Sequence, residues 1–242
     1  MKTEHNVNIN VIRIGYYSSI FLTIITLVTF GFAITAIPIS GVFCLENCIE
    51  YPYLDTLSHF PKDYFWMFLA ILLILTYLIF IVSVHSFALI QNKIFSRIGL
   101  TFAIISSVVL LSCYFIQFSV IPASLMNEET EGIALITQYN PHGTFIALEE
   151  LGYLLMSFSF LFIAPVFADK NRIEKFIRWI FIIAFILTII SFAYITIKHG
   201  ILRDYRFEII VISIDWLVLM TNGILTGIVF KRALKQNKII KN

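Results

Sequence analysis

Phe65–Ile90 reads FWMFLAILLILTYLIFIVSVHSFALI, 26 residues without a single Asp, Glu, Lys or Arg. A helix that crosses a bilayer needs about 20 mostly apolar residues, because the hydrocarbon slab is ~30 Å thick. This stretch meets that length with residues to spare. It shows none of the two-residue alternation of a barrel strand. A helix bonds all of its own backbone groups, which an isolated strand in lipid cannot do. Phe65–Ile90 therefore predicts a transmembrane helix.

Five further stretches have the same character. The expected spans are Ile14–Pro38, Phe65–Ile90, Ile98–Ile121, Ala147–Ala168, Arg178–Ile197 and Glu208–Phe230. The expected fold is all-α, a polytopic bundle of six transmembrane helices forming one membrane domain over residues 1–242. Composition agrees: apolar residues make up 59% of the chain and charged residues 13%. The mean hydropathy is +0.90. Soluble domains run at about 45–50% apolar and ~25% charged. The first span exceeds the length of a signal-peptide core, so it is read as uncleaved.

Charge placement predicts the orientation. Of the 17 basic residues, 13 fall on one set of chain segments: Lys2, Arg13, Lys93, Arg97, Lys170, Arg172, Lys175, Arg178, Lys231, Arg232, Lys235, Lys238 and Lys241. The positive-inside rule places these in the cytoplasm. Both termini are then cytoplasmic and the location is the plasma (cell) membrane. The outer loops are 39–64, 122–146 and 198–207. The first two are long, rich in aromatic and apolar residues, and expected to form ordered caps. A net charge of +2 does not suggest nucleic acid.

Cys44 and Cys48 share the first outer loop, spaced so that one helical turn brings them within bridging distance. A disulfide is the leading expectation. Two free thiols, or a metal held with Glu46 or His59, are the alternatives. Cys113 lies inside the third span and reads as a packing residue.

Polar groups inside the spans carry the functional expectation, since a charge at the bilayer centre costs at least ~2.5–3.5 kcal/mol. Asp215 lies seven residues into the last span, roughly 10 Å deep at ~1.5 Å per residue. Asn222 and Thr226 share its face. Glu149, Glu150 and Tyr153 begin the fourth span, after the turn signal Asn140-Pro141-His142-Gly143. Gln117 comes from the third span. Asp215, Glu149, Glu150, Gln117, Asn222, Tyr153 and His142 are therefore expected to form a polar pocket in the outer half of the bundle. A simpler reading stands beside it: Glu149 and Glu150 sit at the water interface, and Asp215 is a hydrogen-bonding tie between helices.

No phosphate-binding loop, nucleophile elbow, zinc-protease or dinucleotide motif is present. No nucleophile–base pair is visible, so an intramembrane enzyme is the weakest expectation. Small-solute or ion transport or binding is the first, with a small solute or cation as the expected partner, and an accessory membrane protein that packs against protein partners the second. No cofactor and no resident metal are expected, and the lipid bilayer is the expected surrounding. Asn140-Pro-His-Gly143 followed by Ala147-Leu-Glu-Glu-Leu-Gly-Tyr153, with the overall size and long outer loops, resembles prokaryotic six-helix membrane proteins grouped as domains of unknown function. That resemblance implies the architecture and no activity.

Overall fold

The structure is a computed structural model that describes residues 8–35, 40–167 and 171–241, with side chains through Asn237. The expected span ends Pro38 and Ala168 lie outside these residues, as do Lys2 and Lys170. Six long helices form the fold: α1 (Ile9–Thr35), α2 (Phe65–Phe87), α3 (Lys93–Ser119), α4 (Thr144–Ile163), α5 (Arg172–His199) and α6 (Arg206–Lys241). Each is long and apolar enough to cross a bilayer. Among the described residues there is no strand. The protein is an all-α, six-span membrane bundle.

Two helix starts follow from caps. Asn8 Oδ1 accepts from Asn10 N at 2.9 Å, so α1 begins at Ile9 rather than Ile14. Asn171 Oδ1 accepts from Ile173 N and Glu174 N, and its amide donates to Glu174 Oε1 at 2.9 Å. This reciprocal cap satisfies first-turn N–H groups that the helix itself cannot. α5 therefore starts at Arg172, six residues before the expected Arg178. α4 ends as an α-helix at Ile163 and continues as a 3-10 turn over Ala164–Phe167. Pro165 in that turn has no N–H to continue the α ladder. The C-terminal carbonyls of α2 are met by a cation, because Lys93 Nζ donates to His85 O at 2.6 Å.

The helices pack in chain order around a ring: α1 on α2, α2 on α3, α3 on α4, α4 on α5, α5 on α6, and α6 back on α1. α4 also reaches across to α6. Burial follows this layout. Over their most apolar windows α2 and α4 are each 56% buried, whereas α5 is only 22% buried. The open side chains of α5, such as Ile183, Ile186 and Ile190, are apolar, while its Thr188 is fully buried. Grease outside and polar groups inside is the pattern of a bundle solvated by lipid rather than water.

Close approach of α3 and α4 depends on Gly152. Ser106 Oγ donates to Gly152 O at 2.7 Å, and Leu110 occupies the space a Cβ would take, 2.5 Å from its position. Toward the end opposite the long loops, buried Ser19 and Thr26 satisfy themselves on the preceding turn, Ser19 on Gly15 O at 2.6 Å and Thr26 on Leu22 O at 2.7 Å.

The two long connections lie at one end of the bundle, here called the loop end. The first carries 3-10 turns at Gly41–Phe43, Leu54–His59 and Lys62–Tyr64, and the Cys44–Cys48 disulfide with Cα atoms 5.8 Å apart. The second carries short helices Ile121–Met126 and Ile133–Ile136. Ser40 ties the two together: its hydroxyl donates to Tyr139 O at 2.6 Å and lies 2.6 Å from Tyr205 Oη.

Candidate functional site

A cavity of about 310 Å³ lies at the loop end between α1, α2, α4 and α6. α6 contributes the face of its first turns, including Glu208, Ser213 and Trp216. α4 contributes Phe145, Ile146 and Glu149, and α1 contributes Phe30, Ala33 and Ile34. Trp66 of α2 and Asp63 before it close another side, and Ser40, Gln138, Tyr139 and Tyr205 come from the connections.

Glu149 is fully buried in the cavity wall. Tyr114 of α3 donates to its Oε1 at 2.5 Å, and the same hydroxyl lies 2.9 Å from Tyr153 Oη. Trp216 Nε1 donates in turn to Tyr153 Oη at 3.2 Å. A chain of donors thus holds one oxygen of Glu149. The other oxygen, Oε2, has no hydrogen-bond partner. The carboxyl of Glu208 interacts directly with that of Glu149, without a well-formed hydrogen bond between them. Glu208 is the partly exposed member of the pair. Among the described residues no ion pair reaches Glu149 or Glu208, and no Lys, Arg or His lines the cavity.

Asp63 differs from this pair because it already has partners. His59 Nδ1 lies 3.1 Å from Asp63 Oδ2, and Tyr139 Oη donates to the same oxygen at 3.3 Å. Outside the spans, burial pushes the Tyr139 and Tyr205 hydroxyls well above the usual phenol range. Tyr139 is raised further by Tyr64 and Asp63. Both remain neutral donors at the rim.

The residues expected from the sequence are distributed over several places. Glu149 lines the cavity and Tyr153 supports it from behind. Glu150 faces a different way, where Arg203 Nη2 donates to its Oε2 at 2.7 Å. Gln117 is buried and holds the second long connection, donating to Ile136 O and accepting from Gln138 N at 2.9 Å. His142 Nε2 lies 2.8 Å from Asp204 Oδ1, which Asp204 combines with an Arg206 pair at 2.6 Å. Asp215 is fully buried and sits among α4, α5 and α6 outside the cavity lining. Ser157 Oγ donates to Asp215 Oδ1 at 2.8 Å and lies 3.0 Å from Thr188 Oγ1. Asn222 lies deeper still, donating to Ile177 O at 3.4 Å.

Glu208, which hydropathy marks only as the end of a span, lines the cavity. Its signal was present: Glu208, Asp215 and Asn222 recur every seven residues on one face of α6. Ser40, Asp63, Tyr139 and Tyr205 had no such signal, because irregular connections bring them in. Among the described residues, no group of three or more His, Cys, Asp or Glu is arranged to hold a metal ion.

Comparison with protein-family models, with curated proteins and with solved structures finds no match to this chain.

Proposed function

We propose that this membrane protein binds a small cationic solute in the loop-end cavity and serves its passage or sensing across the plasma membrane. The observation that carries the reading is the Glu149–Glu208 pair: two carboxyls against each other, one of them fully buried, with no basic side chain beside them among the described residues. Like charges at short range in a low-dielectric wall repel strongly. A proton held between the carboxyls relieves that repulsion when the cavity is empty, and a cationic ligand relieves it when the cavity is filled.

The orientation proposed with it puts the loop end outside and both termini in the cytoplasm. Two features support this. Arg13, Lys93, Arg97, Arg172, Lys175, Arg178, Lys231, Arg232 and Lys235 gather at the end opposite the long connections, which the positive-inside rule assigns to the cytoplasm. The Cys44–Cys48 disulfide lies at the loop end, and disulfides persist mainly outside the reducing cytosol.

The test is a melting-temperature screen of the full chain in detergent against small cations, neutral solutes and anions, with uptake into proteoliposomes for any that bind. The expected result is that cations alone stabilise the wild type, and that Glu149→Gln and Glu208→Gln lose the effect. Stabilisation by anions or neutral solutes, or an undiminished response in both variants, contradicts the reading.

A further inference from the structure

We propose that the cavity is built for a small organic ammonium ion rather than a bare inorganic cation. The proposal rests on the cationic-solute reading above and names its ligand class.

A bare cation needs a shell of oxygen ligands. Ca²⁺ takes about 6–8 oxygens, and Mg²⁺ about six in strict octahedral geometry. The cavity does not offer such a shell. Its carboxyls free of basic partners are those of Glu149 and Glu208, since Asp63 is already engaged by His59 and Tyr139. A neighbouring cavity of about 320 Å³ shares Asp63 and includes Lys62, so a positive charge already stands on that side. The remaining wall carries Ser40, Gln138 and Ser213 but is mostly aromatic and aliphatic. Trp66, Tyr139, Phe145 and Trp216 face the same space as the two carboxyls.

Carboxyl on one side and aromatic faces on the others suit an ammonium group. Its N–H groups donate charge-assisted hydrogen bonds to Glu208 and to the unpartnered Glu149 Oε2. The ring faces attract the cation, by about 0.5–1 kcal/mol each when exposed and ~2 when desolvated. Its alkyl part displaces water from Ile209, Ile212 and Ile146. A strongly hydrated metal ion gains nothing from those apolar surfaces, and a neutral solute leaves the carboxyl pair uncompensated. Glu149 is fully buried, its Oε1 is held by Tyr114, and its Oε2 receives no hydrogen bond from a basic, amide or hydroxyl group, which separates it from a solvated acidic patch.

The experiment is isothermal titration of the full chain in nanodiscs with butylammonium, n-butanol, sodium and magnesium. Butylammonium is expected to bind saturably and at least about tenfold tighter than the other three, about 1.4 kcal/mol. Glu208→Gln is expected to weaken it about tenfold. Ser213→Lys, at a partly open position on the cavity wall, supplies a competing tethered ammonium and is expected to abolish binding while preserving the fold. Sodium or magnesium binding as tightly as butylammonium overturns the ammonium assignment and leaves the cationic-solute reading standing. Equal binding of n-butanol, or no binding of any cation, overturns both. Unchanged butylammonium affinity in a folded Ser213→Lys protein places the ligand elsewhere and overturns the proposal.

Discussion

Tyr114 donates its hydroxyl to Glu149 Oε1 at 2.5 Å, and through this bond α3 holds the acidic wall of the cavity on α4. Both groups are fully buried. One oxygen of the carboxyl is thereby fixed, and the other is left for Glu208 or a ligand. Removing the donor should cost the fold and also loosen the site.

Tyr114→Phe deletes one hydroxyl and little volume. The expected loss is about 1–3 kcal/mol, the penalty for a buried acceptor stripped of its donor. Reversible unfolding in mixed micelles measures it. A variant as stable as the wild type would show that the bond does not hold α3 to α4.

Gly152→Ala should destabilise the α3–α4 contact, because Leu110 stands 2.5 Å from where the new methyl must go. Overpacking of this kind costs about 1–3 kcal/mol. Leu110→Ala in the same chain should recover part of that loss, so the double variant is more stable than the sum of the two singles implies. Strict additivity in a melting series would contradict the contact.

Arg203→Gln leaves Glu150 without its 2.7 Å partner. Both side chains keep some exposure, so solvent screens the loss, and the expected cost is about 1–2 kcal/mol. Adding Glu150→Gln should restore most of it. Melting curves of the two singles and the double test this. A double variant as unstable as Arg203→Gln alone would show that the pair does not act as a unit.

Asp215→Asn should behave unlike substitution of Glu149 or Glu208. The amide keeps an acceptor for Ser157 and carries no charge. Asp215 does not line the cavity. Solute affinity should be unchanged, and stability should stay equal to or above the wild type. Asp215→Ala removes the acceptor and should cost about 1–3 kcal/mol. A loss of solute binding in Asp215→Asn would join Asp215 to the site.

The spans were legible because lipid imposes a length and a composition that few soluble segments meet. Helix ends were less so. Hydropathy marks where a helix leaves the slab, not where it stops, and α6 runs from Phe230 on to Lys241, past the exposed Lys231, Arg232 and Lys235. The start of α5 was readable in Asn171 and Glu174, a cap signal independent of hydropathy. Within the site, Glu149 was legible as a carboxyl in an apolar helix. Asp215 carried the same signal but points into the α4–α5–α6 contact, because face and depth along a helix do not say which neighbour it meets. The cavity rim at Ser40, Tyr139 and Tyr205 depends on how two irregular connections fold over the helix ends, which no periodicity encodes.

Cysteine reactivity at position 208 tests the acidic cavity most directly. The native thiols give little background, since Cys44 and Cys48 are bridged and Cys113 is buried. In Glu208→Cys, a cationic thiosulfonate reagent should react about tenfold or more faster than an anionic one of the same size, the enrichment expected of a cleft lined by one sign of charge. Glu149→Gln in the same chain should erase that preference. Equal rates for the two reagents, or faster reaction with the anionic one, would contradict a cavity that holds positive charge.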